Sequence, residues 1–274
     1  MKEYLKTKNG ILYNADCLDV MDYLSKKNIK FDLILTDPPY GITKCKWDSI
    51  IPFDKMWDMI NKVVNDNTPI CLFGSEPFST KLRLSNLKNF KYDWYWIKNI
   101  STGHLNSNRM PLKNIEIISI FYNKQCYYFP ILRETKASEK SLERYKYIIK
   151  PLKIKDNVIY GKEKKSDPFY QSLKVKPDVT LSFNCIPRNS INRLHPTQKP
   201  LKLYEYLIKT YTKENDLVLD FCSGSGTLGI ACENLNRKYI MIEKELKYCE
   251  VIKKRLIDNN VKILNKKIKL IKRR

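Results

Sequence analysis

Residues 217–243 of the chain read LVLDFCSGSGTLGIACENLNRKYIMIE. The apolar run at the start predicts a buried strand, the spacing over Thr227–Leu235 predicts a helix, and Tyr239–Glu243 predicts a second strand. The turn between strand and helix has the form G-x-G-x-x-G, from Gly224 to Gly229. Glycines let a ligand approach the backbone, and Glu243 at the second strand's end can accept hydrogen bonds from ribose hydroxyls. The stretch therefore predicts a β-α-β unit of an α/β fold with a nucleotide or nucleoside site.

The position of this β-α-β unit in the chain restricts the class of ligand that it can bind. Taken alone, the glycine pattern also fits the dinucleotide site of a nicotinamide-dependent oxidoreductase. Here the glycines follow Asp220-Phe221-Cys222-Ser223, and they lie near the C-terminus, where we expect no second nucleotide-binding half. We therefore predict a ligand the size of a single nucleoside. The oxidoreductase is the alternative from another class of protein. Saturation binding with a nicotinamide dinucleotide and with a cofactor of single-nucleoside size would distinguish the two classes.

A second motif, Asp37-Pro38-Pro39-Tyr40, follows the apolar run Phe31–Thr36. The run predicts a buried strand, and the prolines, which cannot continue a ladder, predict a loop from Asp37. Ligands of open α/β sheets bind outside the carboxyl ends of parallel strands, so both motifs are expected to face one cleft. A tight turn with a capping Asp and a packed Tyr is the purely structural alternative. The glycine loop elsewhere in the chain favours a functional site.

Helix and strand patterns alternate through most of the remaining chain, which is typical of α/β folds. Between residues 123 and 190 the sequence is rich in Lys and Tyr, and its apolar residues follow neither the helical nor the strand period. This change of pattern indicates an insertion. We predict two halves of one core at 1–122 and 191–260, separated by the insertion 123–190 and followed by a basic tail at 261–274. Further predicted elements are a helix at Asp54–Val64, a strand at Pro69–Phe73, a helix at Phe78–Leu87, strands at Tyr92–Ile97 and Ile115–Tyr122, and a helix at Leu201–Tyr211.

Composition restricts the class of protein. The 274 residues carry 51 Lys and Arg against 29 Asp and Glu, a net charge of +22 that favours a polyanionic partner such as nucleic acid. The alternative explanation of this charge is the coding bias of an A+T-rich genome, which would over-use Lys throughout the chain. The hydrophobic content of 43% excludes a disordered chain, and no apolar run is long enough to span a membrane. Eight scattered Cys and two His predict reduced thiols, no metal site and a cytoplasmic protein.

Several further motifs follow in a specific order. They are Trp96-Ile97-Lys98 through Asn106, Arg109-Met110-Pro111-Leu112 through Glu116, and His195-Pro196-Thr197-Gln198-Lys199-Pro200. With D-P-P-Y first and F-x-G-x-G last, the chain resembles the amino-methylating DNA methyltransferases of the permuted β group. The resemblance covers nearly all of the chain outside the middle region and the tail, although Ile115 stands where the family has His. It implies a Rossmann-like S-adenosylmethionine-dependent methyltransferase fold: a mixed, mostly parallel sheet, helices on both faces and an inserted target-recognition region.

The resemblance also implies an activity and partners. We expect a site-specific enzyme that moves a methyl group from S-adenosylmethionine to the N6 amine of an adenine flipped out of double-stranded DNA. Methylation of cytosine N4 is the nearest alternative, although Ser more often replaces Asp37 in that subgroup. A non-catalytic DNA-binding protein and an RNA substrate are the remaining alternatives. A homodimer and a cognate restriction endonuclease are further candidate partners, and no metal or membrane is expected.

The same resemblance assigns residues to roles. The Asp37 carboxylate and the Pro38 carbonyl would accept the two N–H bonds of the target amine, Pro39 would stiffen the loop, and Tyr40 would stack on the flipped base. Asp16 has helix capping as its alternative role. The candidate cofactor-binding residues are Asp16, Thr197, Lys199, Asp220, Phe221, Cys222, Ser223, Gly224, Ser225, Gly226, Thr227 and Glu243. The candidate DNA-binding residues are His104, Asn106, Arg109, Arg133, Arg144 and Arg188.

Overall fold

The computed structural model of the protein describes residues 2–42, 48–135, 173–187 and 198–264, and only the backbone of residues 134–135 and 173–175. The chain divides into two compact units. The first comprises Met1–Phe129 and Val179–Arg274, and the second comprises Pro130–Asp178. Among the described residues, no helix combines the length and the apolar character that crossing a membrane requires.

A nine-stranded sheet forms the centre of the first unit, in the order β1-β2-β11-β10-β3-β4-β6-β5-β9 among the described residues. Strands β2, β11, β10, β3 and β4 run parallel, whereas β6 is antiparallel to both β4 and β5. The predicted mixed, mostly parallel sheet is confirmed. The strands are β1 (Leu5–Lys6), β2 (Gly10–Asn14), β3 (Leu33–Thr36), β4 (Ile70–Gly74), β5 (Phe90–Thr102), β6 (Lys113–Phe121), β7 (Arg133–Thr135), β8 (Leu173–Val175), β9 (Thr180–Ser182), β10 (Leu217–Asp220) and β11 (Lys238–Glu243).

Helices cover both faces of this sheet. Successive side chains of a strand point to opposite faces, and β3 shows the result: Leu33 and Leu35 join one buried cluster and Ile34 joins the other. Helices α4, α5 and α6 pack on the first cluster, and α1, α2 and α3 pack on the second. The helices are α1 (Cys17–Lys26), α2 (Phe53–Val63), α3 (Phe78–Ser85), α4 (Leu201–Tyr211), α5 (Thr227–Asn234) and α6 (Leu246–Asp258).

Strands β3 and β10 lie side by side at the centre of the sheet. They pair in parallel, with Leu33 opposite Val218 and Ile34 opposite Leu219. Because both strands end at the same edge, the loops that begin at Asp37 and Phe221 leave the sheet next to each other. The sheet therefore brings the two sequence motifs to one place.

The second compact unit, Pro130–Asp178, lies within the predicted insertion 123–190. Phe129 donates its backbone N–H to Thr210, and β9 extends the main sheet by pairing in parallel with β5. Both ends of the predicted insertion thus belong to the first unit, because they complete its hydrogen bonding. In the second unit β7 and β8 pair as an antiparallel hairpin.

The start of the predicted tail is packed on the first unit. Leu264 donates its backbone N–H to the Lys6 carbonyl over 2.8 Å, and Val261 and Ile263 pack against the core. Residues 261–264 therefore belong to the first unit, and the remainder of the predicted tail lies outside the described residues.

Candidate active site

A cavity of about 610 Å³ lies at the carboxyl ends of β3, β10 and β11. Cavities of this volume take ligands of nucleoside size. Both sequence motifs contribute to its wall, so the predicted shared cleft is present. The predicted site residues that line it are Asp16, Asp37, Pro38, Pro39, Tyr40, Lys199, Phe221, Cys222, Ser223, Gly224, Ser225, Thr227 and Glu243.

The glycine loop requires backbone conformations that side chains disfavour. Gly224 and Gly226 have φ angles of 50° and 73°, in the left-handed region. A Cβ on Gly226 would also lie 2.8 Å from the Ile252 side chain of α6. Gly226 thus allows the loop to turn tightly over α6, and it supports the cavity wall rather than lining it.

Glu243 is held in one orientation at the end of β11. Its Oε2 accepts the Gly224 backbone N–H over 2.8 Å, and its Oε1 accepts the Glu245 backbone N–H over 2.8 Å. Burial raises the pKa of this carboxyl, and the backbone hydrogen bonds oppose that rise. Each oxygen can accept a further hydrogen bond, so a fixed acceptor pair faces the cavity.

Asp220 does not line the cavity, although it is a predicted cofactor-binding residue. It is only 1% exposed, and its Oδ1 accepts the Thr36 hydroxyl over 2.7 Å and the Cys222 backbone N–H over 3.1 Å. Burial raises the pKa of Asp220 to about 7, against the effect of these hydrogen bonds. Because Thr36 directly precedes Asp37, Asp220 joins the two motif loops from beneath.

Arg255 supports the glycine loop and was not predicted from sequence. Its Nη1 donates to the Ser225 carbonyl over 2.6 Å, to the Ser225 hydroxyl over 3.0 Å and to the Thr227 hydroxyl over 3.3 Å. Burial lowers the pKa of this guanidinium to about 10. The available signal was weak: Arg255 is the only Arg of a helix whose other basic residues are Lys.

Both carboxylate oxygens of Asp37 have partners. The ammonium of Lys199 lies 2.5 Å from Oδ2, and the hydroxyl of Tyr40 donates to Oδ1. The Tyr40 ring packs on Phe78 with centroids 5.0 Å apart, and burial raises the pKa of Tyr40 well above its usual value. Asp37 is therefore oriented before any ligand binds. The predicted stacking of Tyr40 on a base stays a prediction.

Lys199, a predicted cofactor-binding residue, lies beside Asp37. Its side chain is 6% exposed, and its ammonium also lies 3.5 Å from Oε1 of Glu116 and 5.1 Å from the ring centre of Phe73. Burial alone would lower the pKa of Lys199, but the charges of Asp37 and Glu116 raise it above its usual value. A buried cation thus joins two carboxylates at the cavity wall.

Glu116 belongs to one of the sequence motifs but was not predicted as a site residue. It lies on β6 opposite Trp96 of β5, and both side chains line the cavity. The contact with Lys199 joins residues far apart in the chain, so no local pattern reveals it. The available signal was that Glu116 is the one acidic residue of β6.

Asp16 caps helix α1 and also lines the cavity. Its Oδ1 accepts the Leu18 backbone N–H over 3.0 Å, and its Oδ2 lies 3.2 Å from the ammonium of Lys244. The capping role considered from sequence is therefore present. Contact with a cofactor stays a prediction.

The predicted DNA-binding residues are dispersed. His104, Asn106 and Arg109 are exposed in the loop between β5 and β6 and do not line the cavity, whereas the flanking residues Thr102 and Lys113 do. Arg133, in the second unit, pairs with Asp178 over 2.7 Å. The predicted residues Arg144, Arg188 and Thr197 lie outside the described residues. In the described part of the chain, no cluster of three or more His, Cys, Asp or Glu could hold a metal ion.

Comparison with known families decides the class of this site. The family model N6_N4_Mtase, described as DNA methylase, matches residues 31–254, which include both motifs. The chain belongs to this DNA methylase family. The methylase is 30% identical to the type II methyltransferase M2.MboI of Moraxella bovis, over 93% of this chain and 91% of the relative. It is 28% identical to M2.LlaDCHI of Lactococcus lactis subsp. cremoris, over 93% and 92% of the two chains.

Solved structures are similar to most of the methylase chain. The M1.HpyAVI–SAM complex has a TM-score of 0.58 and 27% identity, over 89% of this chain and 98% of that one. The cytosine-N4-specific PvuII DNA methyltransferase has a TM-score of 0.62 and 17% identity, over 94% and 89% of the two chains. The latter likeness concerns the fold alone. The predicted methyltransferase fold and family of the chain are confirmed.

Proposed function

We propose that this DNA methylase transfers the methyl group of S-adenosylmethionine to the N6 amine of an adenine flipped out of duplex DNA. The observation that carries the proposal is that Asp37, Glu243 and the glycine loop line a single cavity. A methyl donor and an amine bound in one cavity meet without diffusing, which accounts for much of the acceleration of a two-substrate reaction.

The residues of the cavity fit S-adenosylmethionine. Glu243 offers two fixed oxygens to ribose hydroxyls, and the glycine loop exposes backbone to the cavity. Acidic Asp16 and apolar Ile242 also line the cavity. When bound, S-adenosylmethionine supplies an electrophilic methyl group. The solved complex of M1.HpyAVI with SAM, an enzyme 27% identical to this one, supports the same cofactor here.

The D-P-P-Y loop would orient the target amine. The lone pair of an exocyclic amine is delocalised into the ring, so the amine needs acceptors that hold both N–H bonds. The Asp37 carboxylate and the Pro38 carbonyl are two such acceptors at the cavity wall. Lys199 and Tyr40 keep the carboxylate in place, so little reorganisation is needed when the base arrives.

Cytosine N4 is the second candidate target, because it presents the same kind of amine. The fold does not discriminate, since the cytosine-N4-specific PvuII enzyme has the fold of this chain. Asp37 favours adenine through the resemblance described above. Target recognition by the inserted region, a homodimer and a cognate endonuclease stay predictions.

The test is incubation of the full chain with unmethylated genomic DNA and methyl-labelled S-adenosylmethionine, followed by digestion to nucleosides. Label in N6-methyladenine is expected. Label in N4-methylcytosine would retain the mechanism and replace the base, whereas absence of label in both, with RNA tried in parallel, would overturn the proposal. Asp37→Ala should abolish transfer and keep cofactor binding, while Asp58→Ala, which removes only an exposed helix ion pair, should change neither.

A further inference from the structure

The loop between β5 and β6 begins at the mouth of the cavity. Thr102 and Lys113 pair across the two strands, the Thr102 hydroxyl donates to the Lys113 carbonyl over 3.1 Å, and both residues line the cavity. Leu105 follows three residues after Thr102. At roughly 3.3–3.6 Å per residue, its backbone lies within about 11 Å of the cavity wall.

This loop holds Leu105 out into solvent. Gly103 has a φ of 94°, and no atom of the described residues lies within 4 Å of the place a Cβ would take, so the turn itself selects glycine. Asn106 donates its backbone N–H to Gly103 over 2.9 Å, and Ser107 donates its hydroxyl to the His104 carbonyl over 2.8 Å. These bonds close a short 3₁₀ turn around Leu105, whose exposure reaches 102% of the reference area.

The sequence on both sides of Leu105 is basic. Residues 98–115 contain Lys98, Arg109 and Lys113 with His104, and they contain no Asp or Glu. Such a segment suits the phosphates of a nucleic acid on either side of an apolar tip. An exposed apolar side chain beside cations matches a DNA duplex, which offers phosphates outside and an apolar base stack inside.

We propose that Leu105 enters the base stack and fills the space that the target base leaves when it flips into the cavity. This inference rests on the proposed function. An apolar side chain replaces the lost stacking contacts without needing hydrogen-bond partners, and it hinders the return of the base. Leu105 is thus a positioning residue, since it acts on the duplex and not on the reacting atoms.

The test compares two duplexes that carry the site mapped from the wild-type product. One is fully paired, and the other lacks the base opposite the methylated one, so that flipping costs less. Leu105→Ala should lower kcat/KM on the paired duplex by roughly tenfold or more and restore it to within about twofold of wild type on the second. Leu105→Met, which keeps an apolar side chain, should retain activity on both.

Leu84→Ala is the matched control, because Leu84 is also an exposed leucine, at 67%, on helix α3 away from the cavity lining. It should change neither rate. Equal activity of Leu105→Ala and wild type on the paired duplex, or an equal loss on both duplexes, would overturn the inference. Failure of the proposed function is distinct, because the wild-type chain itself would then leave the DNA unmethylated.

Discussion

The ammonium of Lys199 lies 2.5 Å from Oδ2 of Asp37, and the side chain of Lys199 is only 6% exposed. Lys199 precedes α4, whereas Asp37 follows β3, so the contact crosses between the two halves of the core. Together with the hydroxyl of Tyr40 on Oδ1, it leaves Asp37 little freedom to rotate. The proposed acceptor for the target amine, Asp37, is thus oriented by residues from two separate motifs.

We expect Lys199→Met to reduce methyl transfer by about 100-fold, because a misplaced acceptor loses the preorganisation on which such sites depend. Cofactor affinity should change little, measured by calorimetry on the same preparation. Lys202→Met removes an exposed lysine on α4 and serves as the control. A loss of cofactor binding as large as the loss of rate would instead support the cofactor contact predicted from sequence.

Breaking a buried ion pair also destabilises a protein, by about 3–5 kcal/mol. The thermal unfolding of Lys199→Met should therefore be measured as well. The rates are then compared at a temperature at which the variant is folded. Lys199→Arg keeps the positive charge and should retain more activity than Lys199→Met. Equal activities of the two variants would argue against a role for the charge.

Glu243→Gln should weaken S-adenosylmethionine binding by about tenfold, because the amide group turns one acceptor into a donor opposite a backbone N–H. Glu214→Gln, at an exposed position outside the cavity lining, should bind normally. Because burial raises the pKa of Glu243, this carboxylate takes up a proton at a higher pH than an ordinary glutamate does. As the pH is lowered, the affinity of the wild type for S-adenosylmethionine should therefore begin to fall at that higher pH. A wild-type affinity that stays constant until the pH reaches the range in which an ordinary glutamate titrates would contradict this assignment.

Asp220→Asn should remove a pH dependence of stability. The folded pKa of Asp220 is raised to about 7 from 3.8, so between these values the folded state binds more protons than the unfolded state. The free energy of unfolding contributed by Asp220 therefore falls as the pH rises through this window. Urea titrations should show the variant gaining stability relative to wild type from about pH 4 to pH 7, and a constant difference would refute the assignment.

Arg255→Met should raise the KM for S-adenosylmethionine more than it lowers kcat. The substitution leaves the Ser225 carbonyl and the Thr227 hydroxyl without their donor, so the glycine loop loses a support but Asp37 keeps its partners. Lys254→Met alters the adjacent exposed position and should leave both constants unchanged. A fall in kcat at constant KM would place Arg255 in a different role.

Local patterns predicted the elements whose ends carry strong signals. The β10-α5-β11 unit ends within two residues of its predicted bounds, because its glycines, apolar periods and acidic end are local features. Helix α4 matches its predicted span. Strand β9 was missed because three residues with one buried side chain, Leu181, have no period, and they become a strand only by pairing with β5.

The sequence predicted which residues line the cavity better than it predicted the contacts between them. Motif resemblance identified Asp37, Lys199 and Glu243 as site residues, and all three line the cavity. The pairing of Lys199 with Asp37, and the support of Ser225 by Arg255, depend on how distant segments pack. Such contacts are tertiary, so no spacing along the chain reveals them.

The anchored ends of the insertion affect how such an enzyme can diversify. Phe129 is bound to Thr210 and Val179 is bound to Tyr95, both through the backbone, so the sheet closes its hydrogen bonds without using the chain between them. Residues 130–178 can then be exchanged or lengthened with little cost to the chemistry of Asp37. With target recognition assigned to the inserted region, as proposed above, changes in DNA preference and changes in catalysis can accumulate in separate parts of one gene.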